Sequence, residues 1–327
     1  MRAVEFQEYG GPEVLRLVQA GEPEPEPGPG QVSIDAAWAG VNFADIKARA
    51  EGYRVASLPY RPGLEVSGRV RAVGEGVDGL TIGQEVAALV DGGGYAEVVL
   101  AEAAAVFPLP GGLDLRTAAT LPTVLPTAYG LIHEVGRLRA GESVLVHSAA
   151  GGIGTVAGQL ARAAGAGAVY GVASTGAKAE YALQHGYDQV FPTETFDEDV
   201  RSATGGRGVD LILDPVGGDT LRRGLDALAV FGRLVSFGNA GGQQPWQVGQ
   251  PDLYAQGRTV AGFSILALAQ TAPQVVRTLT ERALRTVADG TVTLPVTAEF
   301  PLADAAGAHR LVGSRTSTGK LLLRIGD

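Results

Sequence analysis

Short runs in which apolar and polar residues alternate mark the first third of the chain as strands: Ala3 to Phe6, Leu15 to Gln19, Val32 to Ala39 and Ser67 to Val73. Between the second and third, a spacer from Pro23 to Gly30, led by Glu22, alternates glutamate with proline and favours a stiff, extended connector. Gly63, Gly68, Gly74, Gly76, Gly79 and Gly83 crowd the region that follows, as tightly turned strands packed around one another require. From about Asp114 the pattern changes to helix and strand in turn. Helices are predicted over Thr117 to Val135, Ile153 to Ala164, Ala177 to His185 and Thr220 to Ala229. The intervening strands, Ser143 to His147, Val169 to Val172, Gln189 to Phe191, Val209 to Leu213, Leu234 to Phe237 and Thr259 to Phe263, are nearly continuous apolar runs. Such runs belong to parallel strands buried on both faces, so an α/β, doubly wound parallel sheet follows a β-rich region. A helix over Pro273 to Asp289 and a strand over Lys320 to Arg324 remain to return to the first domain.

The 327 residues suit about two domains. With 26 basic against 35 acidic residues the net charge is -9, the wrong sign for coating nucleic acid or an anionic bilayer. The chain has no cysteine, which removes disulfides, thiolate metal sites and a cysteine nucleophile, and none of its four histidines (His133, His147, His185, His309) stands at metal-ligand spacing from another. The first residues are too polar for a signal peptide, and no apolar run reaches the roughly 18 residues of a membrane span. The expectation is a cytoplasmic protein with no membrane partner.

Candidate chemistry begins where the first parallel strand ends, at His147-Ser148-Ala149-Ala150-Gly151-Gly152-Ile153-Gly154. This is a variant of the dinucleotide fingerprint with Ala149 at its first glycine position. Ala150, Gly151, Gly152 and Ile153 would form the turn, Gly151 would let the backbone approach a pyrophosphate, and Gly154 would allow close helix–strand packing. The second strand ends at Ala173, and Ser174 follows where an NAD site usually carries Asp or Glu. Ser174, Thr175 and Lys178 instead offer hydroxyls and an ammonium suited to the additional phosphate of NADPH. Phe237, Gly238 and Asn239 end the fifth strand, and Phe263 and Ser264 end the sixth, where such sheets bind their ligands.

Taken together, Gly40-Val41-Asn42-Phe43-Ala44-Asp45, Pro62-Gly63-Leu64-Glu65-Val66-Ser67-Gly68, Thr127, the turn at 149–154 and Val235-Ser236-Phe237-Gly238-Asn239 resemble the medium-chain dehydrogenase/reductase superfamily, specifically its zinc-free quinone oxidoreductase (zeta-crystallin-like) family. The resemblance spans nearly the whole chain. It implies a GroES-like catalytic domain built from residues 1–118 and 265–327, a Rossmann NADP-binding domain over 119–264 inserted between them, and a homodimer. The apolar run Ala261 to Ala269 could supply the dimer edge. Thr127 and Lys320 are carried over as cofactor contacts. Zinc-dependent relatives place a cysteine near Asn42 and Gly-His-Glu where this chain has Gly63-Leu64-Glu65, so the thiolate and imidazole ligands are missing. No metal site is expected.

Without such a Lewis acid, an already electrophilic acceptor, a quinone or an α,β-unsaturated carbonyl, is easier to reduce than an alcohol is to oxidise. Negative charge arising on the acceptor oxygen needs a donor, and Tyr53 and Asn42 are the candidates. The resemblance to enoyl reductases suggests Tyr53 as proton donor, against a role as pocket wall. Asn42 either positions the nicotinamide or a water, or caps the helix starting at Phe43. Asp45 and Glu65 read as structural carboxylates. Two rival readings stay open: a 2-enal, 2-enone or enoyl-thioester reductase, and a non-catalytic NADPH-binding structural or RNA-binding protein.

Overall fold

The computed structural model describes residues 1–19, 24–243 and 247–326, so Glu22 and Pro23 of the acidic spacer lie outside the described residues. The chain forms two compact units, Met1–Thr123 with Leu266–Leu284 and Leu294–Asp327, and Val124–Ile265 with Arg285–Thr293. The return to the first unit is therefore interrupted, because Arg285–Thr293 packs with the second.

The first unit is the GroES-like, β-rich one. Its seven-stranded sheet is organised by the strand Gln31–Val41, long enough to pair antiparallel with Glu65–Val73, Val98–Glu102 and the late strand Lys320–Arg324. Val32, Ile34, Val66, Val70, Val86 and Val99, all buried, fill its core with the β-branched side chains that suit a pleated surface. The helix Phe43–Glu51 follows directly. Asn42 is its extended N-cap residue, and the helix stops at Gly52, whose φ of 74° is left-handed.

The second unit is a Rossmann sheet of six parallel strands. Ser143–Val146, buried throughout, lies between Ala168–Ala173 on one side and Val209–Asp214 on the other, with Gln189–Pro192, Leu228–Ser236 and Thr259–Gly262 outside these. The chain thus reverses its direction of winding at Ser143–Val146, which leaves a crevice off the carboxyl ends of the central strands.

Two expectations need correction. The helix over Thr117 to Val135 is broken into Leu115–Ala118, Val124–Tyr129 and a π-helical turn Gly130–Val135. Pro122 and Pro126, which lack an amide hydrogen, fall where an unbroken ladder would need one. Residues 228 and 229 open a strand, so the preceding helix ends at Ala227. Within the run Ala261 to Ala269, the outer strand Thr259–Gly262 ends and a helix begins at Ile265.

Candidate functional site

In the second unit the residues singled out from the sequence gather along the carboxyl edge of the parallel sheet. Ser148 turns the chain with a φ of 57°, and Gly151 is the N-cap of the helix Gly152–Ala163. The first intrahelical bond runs from Thr155 N–H to the Gly151 carbonyl (2.8 Å), which leaves the N–H groups of Gly152, Ile153 and Gly154 without an acceptor inside the helix. A Cβ on Gly154 would come within 2.6 Å of the Ala149 carbonyl oxygen, whereas one on Gly151 would meet only the Ser148 oxygen at 3.4 Å. Gly154 therefore serves packing. The bare backbone at Gly151, beside helix N–H groups, is a cradle that fits a diphosphate.

At the end of the neighbouring strand, Ser174 and Thr175 are exposed and Lys178 is half-buried. Thr175 caps the next helix by accepting from Lys178 N–H (3.3 Å). On the other side, Phe237 N–H donates to the Asp214 carbonyl (2.9 Å), Asn239 Nδ2 donates to the Gln243 carbonyl (3.0 Å), and Gly238 is exposed. Phe263 is buried against Gly130, where a Cβ would meet the ring at 2.6 Å, and Ser264 beside it is exposed. Thr127 and Ala150 are buried.

Asp214 was missed in the sequence, although it is an acid ending an apolar run. Buried, it accepts from Val216 N–H (2.6 Å) and Gly217 N–H (3.1 Å) and shapes the turn beside the glycine cradle. His147 is a packing residue, edge-on to Phe196 at 4.6 Å, and burial together with the Arg223 cation pushes its imidazole down to about 3.

In the first unit Asn42, Glu65 and Lys320 meet. Asn42 Nδ2 donates to Glu65 (2.7 Å), Lys320 Nζ donates to Asn42 Oδ1 (2.6 Å) and forms a short ion pair with Glu65, and Thr123 N–H donates to the other Glu65 oxygen (2.8 Å). The Asn42 side chain therefore bridges a buried ion pair, and the helix is capped from the other direction, by Asp45 accepting from Asn42 N–H (2.8 Å). Asp45 also accepts from Gly63 N–H (3.1 Å) and from Tyr95 (3.4 Å), whose hydroxyl contacts His309 Nε2 at 3.2 Å. Sequence spacing gave no hint of Tyr95 and His309.

These residues do not fit a catalytic zinc, because an ammonium already neutralises Glu65 and the other two ligand positions are an amide and Leu64. Among the described residues no group of three or more His, Cys, Asp or Glu is arranged to hold a metal. Tyr53 follows the helix-ending glycine. The residue is 41% exposed, with the Lys47 ammonium 5.9 Å from its ring centre.

Two family models match, the alcohol dehydrogenase GroES-like domain over residues 28–111 and a zinc-binding dehydrogenase over residues 152–281. A rat quinone oxidoreductase is 33% identical over 99% of this chain and 97% of its own length. The crystal structure of Escherichia coli quinone oxidoreductase complexed with NADPH superposes with a TM-score of 0.91 at 31% identity, covering 99% of this chain and 100% of that one. A mycocerosic acid synthase-like polyketide synthase from Mycolicibacterium smegmatis is 34% identical over 91% of this chain, which spans 14% of that protein. With relatives matching from end to end and no cysteine available for the zinc-ligand positions, the chain belongs to the medium-chain dehydrogenase/reductase superfamily, in its zinc-free quinone-oxidoreductase family.

Proposed function

We propose that this protein is an NADPH-dependent, zinc-independent reductase of quinones or α,β-unsaturated carbonyls. The observation that carries the proposal is the open glycine cradle at the reversal point of a six-stranded parallel sheet, in a chain whose zinc-ligand positions hold Asn42, Leu64 and Glu65. Bound NADPH supplies hydride. Gly151, Gly152 and Ile153 hold its diphosphate through backbone N–H groups, and Ser174, Thr175 and Lys178 hold its 2′-phosphate. Phe237, Gly238, Asn239, Phe263 and Ser264 border the remainder of the dinucleotide, with Thr127 and Ala150 beneath it.

Charge that develops on the acceptor oxygen is met by the Tyr53 hydroxyl, which delivers a proton. Asn42, fixed by Lys320 and Glu65, presents a backbone and amide of set orientation. One well-aimed donor is worth about 2.7 to 4 kcal/mol in such a transition state. The match to a polyketide synthase favours a second reading, with an enoyl thioester as acceptor. The same family reading carries a homodimer and a cytoplasmic location, and light scattering of a dilute sample should return twice the 33.5 kDa chain mass.

The test is NADPH oxidation against a panel of quinones, enones and enoyl thioesters, with and without chelator. Acceptor-dependent turnover that survives chelation is expected. Tight NADPH binding with no turnover on any acceptor overturns the enzyme. Tyr53→Phe should lower kcat by about a hundredfold with little change in KM if the phenol is the donor. Lys178→Ala should weaken NADPH by at least about tenfold and NADH hardly at all, as loss of one charge-assisted bond implies. Equal losses for the two nucleotides would remove Lys178 from the phosphate site.

A further inference from the structure

The second unit carries a concavity on the edge of its sheet opposite the glycine turn. Gly208 immediately precedes the strand Val209–Asp214, Leu228 opens Leu228–Ser236, and Arg258 immediately precedes Thr259–Gly262. In an all-parallel sheet these positions share the amino edge, while the turn at 148–151 lies off the carboxyl edge. A six-residue strand at about 3.3 Å per residue puts roughly 20 Å between the two. The concavity is open to solvent and holds about 720 Å³, within the range of small-molecule sites.

Among the described residues its polar lining is dominated by Arg201, Arg207 and Arg258, against the single carboxylate of Asp226. All three guanidinium groups are held in place by their neighbours. Arg201 Nη2 donates to the Asp226 backbone carbonyl (2.9 Å), Arg207 clamps Asp210 through both terminal nitrogens (2.7 and 2.9 Å), and Arg258 Nη2 reaches the Leu228 carbonyl (3.4 Å). Arg201 and Arg258 make these hydrogen bonds to carbonyl oxygens, with the Asp197 and Asp252 carboxylates close enough to interact with them. A cluster of three arginines around one cavity stands out in a chain of net charge -9.

The geometry points to a second ligand site at this amino edge, for a small organic anion bearing phosphate or several carboxylates, separate from the dinucleotide site at the glycine turn. The anion lies between Arg201 and Arg258 and accepts from their terminal guanidinium nitrogens, while the side chains of Leu228 and Val230 flank its apolar part.

The test is calorimetric titration of the full chain, saturated beforehand with NADPH so that the glycine turn is filled, with inorganic pyrophosphate and separately with citrate at fixed ionic strength. At least one should bind. Binding of pyrophosphate alone assigns a phosphate ligand, binding of citrate alone a polycarboxylate, and binding of both an anion site indifferent to the two. Arg258→Gln and Arg201→Gln should each weaken binding by about tenfold or more, the loss expected for one charge-assisted contact, with NADPH affinity unchanged. Arg201 is exposed near the end of the helix Phe196–Ala203, so its replacement keeps the test open should Arg258→Gln fail to fold. Heat from neither anion, or binding equally strong in the two variants, overturns the site.

Discussion

At Asp45, loss of hydration outweighs the polar contacts the residue makes. Burial pushes its carboxyl up to about 7, although the N–H groups of Asn42 and Gly63 and the Lys320 ammonium all pull it down. An acid with a raised folded pKa stabilises the fold below its unfolded value, and that contribution is lost as pH rises through about 7. His147 and His309 have the opposite sign. Burial pushes each down to about 3, with Arg223 and Arg49 respectively adding to the effect, so unfolding lets both take up protons below about 6.5. Between about pH 4.5 and 6 the unfolded chain therefore gains about two protons at the histidines and loses about one at Asp45. These groups together make stability rise with pH by about 1.4 kcal/mol per unit. Asp45→Asn should remove the opposing proton and raise that slope to about 2.7 kcal/mol per unit, read from urea unfolding at several pH values. An unchanged slope would mean that Asp45 is already ionised throughout the window. The raised carboxyl was illegible in the sequence, because it comes from burial, which only the assembled fold imposes on Asp45.

Element by element, legibility followed the strength of the hydrophobic period. The six parallel strands stand out because each is a near-continuous apolar run, and the glycine turn was placed correctly between the strand Ser143–Val146 and its helix. The strands Glu85–Leu89, Val98–Glu102, Val106–Pro108 and Val296–Pro301 were missed. They are short, and what defines them is pairing with strands distant in the chain, which no local window contains. The glycine turn also separates two glycine roles that the sequence could only name. Gly154→Ala forces a methyl against the Ala149 carbonyl oxygen, and overpacking of this kind costs about 1 to 3 kcal/mol, so the melting temperature should fall. Gly151→Ala has room within the protein, and an N-cap alanine costs about 1 kcal/mol at most. Its effect should appear in NADPH affinity. A Gly151→Ala variant that binds NADPH as tightly as the parent would move the diphosphate away from this turn.

On the scale of the whole molecule, the first unit is assembled from segments far apart in the chain, and the strand Lys320–Arg324 completes it. That strand lies inside the sheet, between Val296–Pro301 and Gln31–Val41, with Leu321, Leu322 and Leu323 all buried and Lys320 neutralising Glu65. Each fully buried leucine contributes about 1.5 to 3 kcal/mol, so the three together rival the 5 to 15 kcal/mol that typically separates a folded domain from its unfolded state. Removing the strand also strands a buried carboxylate, which costs about 3 to 5 kcal/mol more. Truncation after Gly319 should therefore unfold the first unit. The second unit has its own parallel sheet and its own buried cluster around Leu145, Ile212 and Leu234, so it should stay folded. Hydrogen exchange should then show fast amides in Gln31–Val41 and Glu65–Val73 beside protected ones in Ser143–Val146 and Val209–Asp214, with acceptor reduction lost and NADPH still bound. Loss of protection in both sheets together would mean that the glycine cradle depends on the first unit for its shape, and that the two units fold as one cooperative body.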